Sequence, residues 1–440
     1  MKRILTTLFF AVLCMAANAQ NPRAEKMLDR FLGYVKMDSQ SIVPNDDDPF
    51  PLTDGQKELA RFVYDEIKSL GSGVEVNLSP DYYVYAHIPS NMKRECPSVL
   101  FLAHLDVTPD CPGLGVKPQV HRNYDGKDIV LNDTLTIHPD DARHTCLKSL
   151  KGKTIVTSDG TTLLGGDCKS GCAILVTSIE EILKERKTKH GDIYYCFTQN
   201  EETGICADRM DMSYFKTRPD VLIDVDGPGT GEFSKSNFYA INPTVWFRGD
   251  NGHPANAKHE GFADARYAAA CFLASLPVEC HPLHSEGLQG YLYAYNLKTI
   301  DDHDIQVSMR LRYFDKADSA TYVGYINDAV ERTKQLWPGV KVETEIGGLL
   351  YDNVAHTMHP MTIPIIEKTA ERTGIAMKAI DLRAGSTAAL MAARGLPGGT
   401  CLASGQHNEH TEQEWVCIEE MLDMVRFVKE LVNQVTLIKK

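Results

Sequence analysis

The sequence lacks an excess of basic residues: 46 Lys and Arg stand against 59 Asp and Glu, a formal charge of -13. That balance excludes a general nucleic-acid binder, which needs a basic face. Beyond residue 15 no apolar stretch is long enough to span a bilayer. A disulfide framework is also missing. One of the twelve cysteines lies in the first fifteen residues, and the other eleven are odd in number with no repeated spacing. Several, Cys196, Cys271 and Cys401 among them, sit in apolar contexts and read as buried thiols. There is no internal repeat and no low-complexity tract. What remains is an ordinary globular composition, 43% hydrophobic and 24% charged, over 440 residues. Such a length predicts two or three domains.

The first residues, MKRILTTLFFAVLCMAANAQ, have the form of an export signal. Lys2 and Arg3 make a positive start, 4–15 an apolar middle, and Ala17-Asn18-Ala19 a small-x-small cleavage site. The expectation is a signal peptide over 1–19 and a periplasmic or secreted mature chain. Lipoprotein processing at Cys14 is disfavoured by bulky Leu13 just before it.

Residues 24–37 and 53–70 read as amphipathic helices, the second opened by a capping-box pattern at Thr53 and Gln56. Strands are predicted at 82–88, 98–103, 192–198, 220–225 and 399–403 from β-branched, aromatic or continuous apolar runs. A long irregular section, 109–152, lies among them. Residues 157–172, TSDGTTLLGGDCKSGC, form a Gly-rich polar loop that delivers Asp167 to the start of a helix through 173–183. Across 237–351 a strand–helix rhythm predicts a two-layer α+β domain inserted into a larger α/β domain. Strands are expected there at 240–248, 290–299, 304–313 and 340–347, with helices at 260–276 and 316–337. The expected division is 20–236 with 352–440 for the main domain and 237–351 for the insert.

Chemistry-bearing residues stand at or just past predicted strand ends or at a helix start: His104, Asp106, Asp167, Glu201, Glu202, Asp226, His407 and His410. Ligands bind at strand carboxyl ends in open α/β sheets. Alone, His104-x-Asp106 reads as a surface pair and Glu201-Glu202 as solvated carboxylates. Together, His104, Asp167, Glu202, Asp226 and His410 make an N/O donor set suited to zinc or a similar divalent ion. Five ligands crowd one ion and suit two, with Asp167 as the shared carboxylate and the ions roughly 3.5–4 Å apart. Asp106 could orient the His104 ring through its other nitrogen. Glu201 would be left free as the general acid/base.

The segments AHLDVTPD, PQVHRNYDGKDIVL, SDGTTLLGGDCKSG, EETG, VDG, GHPANAK, RYFD and HTEQEWV occur in this order from residue 103 onward. They resemble the two-zinc exopeptidase family that holds carboxypeptidase G and acetylornithine-type deacylases, and within it the peptidase T, or tripeptide aminopeptidase, branch. The resemblance implies an α/β zinc-exopeptidase catalytic domain with a mixed central sheet and an inserted lid domain, sometimes a homodimerisation surface. It implies His104, Asp167 and Asp226 on one Zn2+ and Asp167, Glu202 and His410 on the other. Glu201 would be the acid/base and Asp106 a supporting carboxylate. His253, Arg312 and Arg383 fall where related enzymes hold substrate. His410, three residues after His407, takes the ligand position when counted back from Glu414-Trp415-Val416.

Three departures flank the pocket. Cys168 replaces the acidic residue that follows the shared carboxylate, Arg383-Ala384-Gly385-Ser386-Thr387-Ala388 stands for RGGTDG, and Pro228 follows Asp226-Gly227. The function expected is hydrolysis of the N-terminal bond of short peptides. A carboxypeptidase or deacylase on the same metals, or a non-catalytic metal- or peptide-binding protein, are the alternatives.

Overall fold

The computed structural model describes residues 21–185, 187–250, 252–301 and 303–438; the export signal read at 1–19 lies outside them. The chain divides into two compact units. The first is Met1–Phe233, Ile363–Lys378 and Cys401–Lys440; the second is Ser234–Thr362 and Ala379–Thr400. The segment 237–351 lies within the second unit, which also takes in 234–236, 352–362 and 379–400.

The first unit is built on a mixed sheet. Strand Val99–His104 is parallel to Ile193–Thr198 on one side and to Val221–Pro228 on the other. Val84–Ile88 adds antiparallel beside Ile193–Thr198. Beyond Val221–Pro228 the order continues through Thr400–His407, Trp415–Cys417, Ile155–Thr157 and Gln119–His121. The three parallel strands are buried almost throughout, as their continuous apolar runs require. Helix Gly166–Lys184 packs on the sheet and is covered by helices Pro22–Val35 and Ile418–Val435. It is buried on nearly all sides, which accounts for its apolar circumference. Gly171 is needed in it because a Cβ there would stand 2.0 Å from the Val225 carbonyl oxygen.

The expected capping box forms at the start of helix Asp54–Ser69: Thr53 Oγ1 accepts the Gln56 N–H and Gln56 Oε1 accepts the Thr53 N–H. The irregular section 109–152 has a core of its own. A two-stranded ladder, Ile129–Val130 with Thr136–Ile137, and a short 3-10 helix, Thr145–Leu150, bury Ile129, Ile137, Leu147 and Leu150 against Ile155, Trp415 and Cys417.

In the second unit, helices Ala265–Ser275 and Asp318–Leu336 pack against each other and on an antiparallel sheet, with Val245, Phe247, Phe272, Val307, Met309 and Ile326 in the core. Two expectations need correction. The strand read at 240–248 is two strands, Tyr239–Ile241 and Thr244–Arg248, because Pro243 between them has no N–H to give a ladder. The helix read from 260 begins at Ala265 instead. Asp264 caps it by accepting the Arg266 N–H at 3.0 Å, and left-handed Gly261 ends the preceding turn, Ala257–Glu260. Among the described residues no helix is long and apolar enough to cross a membrane.

Candidate metal centre

Parallel register gathers the site. Val99–His104 runs level with both neighbours, His104 opposite Thr198 and Leu102 opposite Asp224. Two residues further along, His104 and Asp226 stand side by side, and the chain leaving Thr198 turns through Glu201 and Glu202. His104 is the last residue of its strand, and Asp226 lies inside its strand rather than past the end, since that strand continues to Pro228. Asp167 enters from the first turn of helix Gly166–Lys184. His410 comes from the turn between Thr400–His407 and Trp415–Cys417, with a left-handed backbone (φ 60°) that few non-glycine residues adopt.

His104 Nε2 is 3.0 Å from Asp167 Oδ1 and 3.4 Å from Asp226 Oδ1. His410 Nε2 is 3.0 Å from Glu202 Oε2 and 3.4 Å from Asp167 Oδ2. Each oxygen of Asp167 therefore faces a different imidazole. Two sets of donor atoms, His104/Asp167/Cys168/Asp226 and Asp167/Glu202/His410, each lie within 4.8 Å of one another. Glu202 Oε1 is buried and accepts no hydrogen bond from any described residue, and buried Asp226 Oδ1 has only the 3.4 Å contact with His104 Nε2. Buried oxygens left this way are costly, and a divalent cation is the partner that three carboxylates and two imidazoles suit.

The electrostatics agree. Burial, then the charge of Asp167, pushes Glu202 up to about 7 and Asp226 well above the carboxylate range. Burial, reinforced by Asp226, Glu202 and Asp106 against the pull of His104, does the same to Glu201. Asp167 is held well below that range, since its bonds to His104 and His410 outweigh burial. Burial works against the charge of both imidazoles, yet their carboxylate neighbours raise them, His410 to about 12. Without a cation, the cluster shares protons among groups that would otherwise be ionised.

Supporting contacts hold these groups in place. The expected bond from the Asp106 carboxylate to His104 is replaced: His104 Nδ1 is 3.0 Å from the Asp106 main-chain oxygen, while the carboxylate is 3.6 Å away. That carboxylate instead accepts the N–H groups of Glu201 and Glu202, each at 3.2 Å. Asn200, itself left-handed, accepts from Gln56 Nε2 at 2.8 Å and donates to the Pro51 carbonyl at 2.9 Å. This ties the Glu201 turn to helix Asp54–Ser69. Glu414 is buried and its carboxylate accepts three main-chain N–H groups, from Leu164, Gly165 and Asp167. Sequence reasoning gave Glu414, Asn200 and Gln56 no part in the site. The signal for Glu414 was an acidic residue beside a Trp-Val strand, where burial demands a partner.

His407 does not join the cluster; its Nε2 is 2.7 Å from Glu420 Oε2. Cys168 is fully buried with its thiol donating to the Val225 carbonyl at 3.0 Å. The three residues read as substrate-side lie in the second unit. His253 is exposed and caps the turn Pro254–Asn256. Arg312 is buried, with Nη1 donating to Ile241 O, Asn242 Oδ1 and Leu311 O. Arg383 donates to Gly287 O, Gln289 O and Ser285 Oγ.

Comparison with known proteins agrees with this architecture. The description of Peptidase family M20/M25/M40 matches residues 159–434. The chain is 32% identical over 410 residues to a peptidase T of Listeria welshimeri, covering 92% of this chain and 98% of that one. A tripeptidase structure from Staphylococcus aureus superposes with a TM-score of 0.70 at 19% identity, covering 94% and 99% of the two chains. A Bacillus subtilis structure described as a dinuclear metal-binding peptidase of the M20 family gives 0.60 at 11% identity, covering 95% and 99%.

Proposed function

The chain belongs to peptidase family M20/M25/M40 and is a hydrolytic exopeptidase, and we propose that it removes the N-terminal residue from short peptides, tripeptides above all, with two divalent ions held at the paired donor sets. His104, Asp167 and Asp226 would hold one ion, and Asp167, Glu202 and His410 the other. The observation that carries this reading is Asp167, whose two oxygens face two different imidazoles at 3.0 and 3.4 Å. The description of the Bacillus subtilis protein as dinuclear supports the count, and the peptidase T name of the Listeria relative supports the substrate class. When bound, such a pair supplies an activated water and polarises the scissile carbonyl.

The chain's own residues do the rest. Glu201 takes a proton from the attacking water and returns it to the departing amine. Asp106 fixes the main chain at Glu201 and Glu202 together, so the proton-transfer group and the ligand keep a constant spacing. His253, Arg312 and Arg383 are the substrate-side residues of this proposal, on the motif resemblance.

The test measures bound metal and kcat/KM for a tripeptide and its N-acetyl form. Two ions per chain are expected, with activity lost on chelation and only the free-amine peptide cleaved. Glu201→Gln should keep both ions and lower kcat by about 10²–10⁴-fold. Loss of an ion in that variant would move Glu201 among the ligands, and efficient cleavage of the acetylated peptide would favour a deacylase or carboxypeptidase. Export, after removal of residues 1–19, and a homodimer belong to the same proposal. Strand Tyr291–Thr299 supports the dimer: it pairs only with Ile305–Tyr313 among the described strands and exposes Tyr293, Tyr295 and Leu297. N-terminal sequencing and light scattering of the mature protein check both; a retained Met1 or a monomer mass refutes them.

A further inference from the structure

Among the eleven described cysteines, none of them in a disulfide, Cys146 is the exposed one. Its Sγ lies 3.5 Å from His407 Nδ1, and the other nitrogen of that ring, Nε2, lies 2.7 Å from Glu420 Oε2. Thiol and carboxylate thus meet the two different nitrogens of one ring. A metal chelate would need all three donors to converge on one point, and these do not. The arrangement is the one that activates a nucleophile: a base within reach, oriented by a third group.

Each member is held by the fold. The 3-10 helix Thr145–Leu150 buries Leu147 and Leu150 beneath Cys146. His407 is paired in register with Trp415, and the two rings stack with centroids 3.8 Å apart and planes 11° apart. Trp415 is fixed in turn by its Nε1–H, which donates to His144 Nδ1 at 3.2 Å. Gly229 leaves room for the ring, because a Cβ there would stand 2.8 Å from His407 Cε1. Glu420 receives the Thr230 hydroxyl at 3.3 Å.

We propose that Cys146 is a reactive thiol activated by His407 and Glu420, and that it takes a covalent modification from small-molecule disulfides. The thiol proton passes to His407 Nδ1, and Glu420 steadies the imidazolium that results. Cys146 Sγ bonds to one sulfur of the disulfide as the disulfide's own S–S bond breaks. The other half leaves as a thiolate and takes up a proton. One disulfide is consumed, and one mixed disulfide and one free thiol are formed, with no further oxidant.

The charge around the ring favours this. Burial opposes protonation of His407, but its bonds to Cys146 and Glu420 outweigh burial and raise it to about 9. The other titratable groups near the ring are His144, which burial keeps neutral, and Glu409.

The magnitude can be worked out at pH 6.5, where an ordinary thiol with a pKa near 8.5 is only about 1% thiolate. A neighbouring base that takes the thiol proton raises that fraction, by about 100-fold at most, and a thiolate stabilised in this way is a weaker nucleophile by about 10-fold. Cys146 should therefore react up to about ten times faster than free cysteine at that pH. The experiment treats the intact, folded protein with oxidised glutathione, and separately with iodoacetamide, and locates the adduct by peptide mass mapping across pH 5–9. The expected first adduct is at Cys146, at a pH 6.5 rate above that of free cysteine. Glu420→Gln, with an unchanged circular dichroism spectrum, should cut the pH 6.5 rate several-fold, and His407→Gln about ten-fold. A Cys146 rate at pH 6.5 no faster than free cysteine, first labelling at another cysteine, or a rate indifferent to Glu420→Gln would each overturn the proposal.

Discussion

Glu414 closes the loop that presents Asp167, and removing it tests how the site is built. Its Oε2 accepts the N–H of Leu164 at 2.8 Å and of Gly165 at 2.6 Å, and its Oε1 accepts the N–H of Asp167 at 2.9 Å. In Glu414→Ala three amides lose their carboxylate acceptor, and because burial pushes that carboxylate up to about 7 the comparison is made at pH 8, where it is ionised. One hydrogen bond to a charged group contributes about 1.5–3 kcal/mol. The three share one carboxylate and are not additive, so about 3–4 kcal/mol of local stability is the expected loss. At 1.4 kcal/mol per factor of ten, amide exchange across 164–167 should speed up by roughly 10²–10³-fold. Glu414→Gln separates the bonds: its carbonyl can still serve Leu164 and Gly165, while its NH2 meets the Asp167 N–H, donor against donor. That variant should lose about 10-fold in protection, centred on Asp167, by the same conversion. The assay is hydrogen exchange read by mass spectrometry on chelator-treated wild type and variants, so that metal loss does not enter. Unchanged exchange at 164–167 in Glu414→Ala would refute the reasoning, and so would a Gln variant more exposed than the Ala variant.

His410→Ala should lose one bound ion and His407→Ala neither, since only His410 faces Asp167 and Glu202; metal analysis giving the reverse would exchange their roles. A second prediction concerns acid stability. Glu180 is buried, and although burial raises it, bonds from Lys184, Lys26 and Arg30 depress it to about 2 from an ordinary 4.5. A depressed carboxylate stabilises the fold fully above its unfolded pKa, and that stability drains as pH falls from about 4.5 towards 2. The shift corresponds to about 3 kcal/mol as an upper figure. Wild type should thus unfold at higher temperature than Glu180→Gln at pH 7, and the gap should narrow below pH 4.5. A gap constant from pH 7 to pH 3 would show that the Arg30–Glu180 pairing contributes nothing to folding.

The site was legible where one-dimensional pattern and three-dimensional position coincide. Apolar runs ending in His104, Glu201-Glu202 and Asp226 mark parallel strands, and neighbouring parallel strands in level register put their carboxyl ends at one edge. A chemical residue at each strand end then becomes a cluster without any further information, which an antiparallel arrangement would not provide. Asp167 was legible for a related reason, since a Gly-rich loop before an apolar helix marks a helix start. The contacts that hold the cluster left no such trace. Glu414 reaches Leu164 across 250 residues and acts on backbone amides, which carry no side-chain signature. Cys146 meets His407 across 261 residues, from a section that reads as structureless because its small core is assembled from distant pieces. Asp106 shows the limit most sharply. The spacing His-x-Asp suggests a carboxylate bond to the ring, but the main-chain oxygen makes the contact instead, and that choice depends on backbone torsions that the spacing does not encode. The carboxylate so released binds the amides of Glu201 and Glu202. The same residue that steadies the His104 ring through its carbonyl therefore also sets the position of the acid/base group, and a side-chain substitution separates the two functions: Asp106→Asn would disturb Glu201 and leave the ring's partner in place.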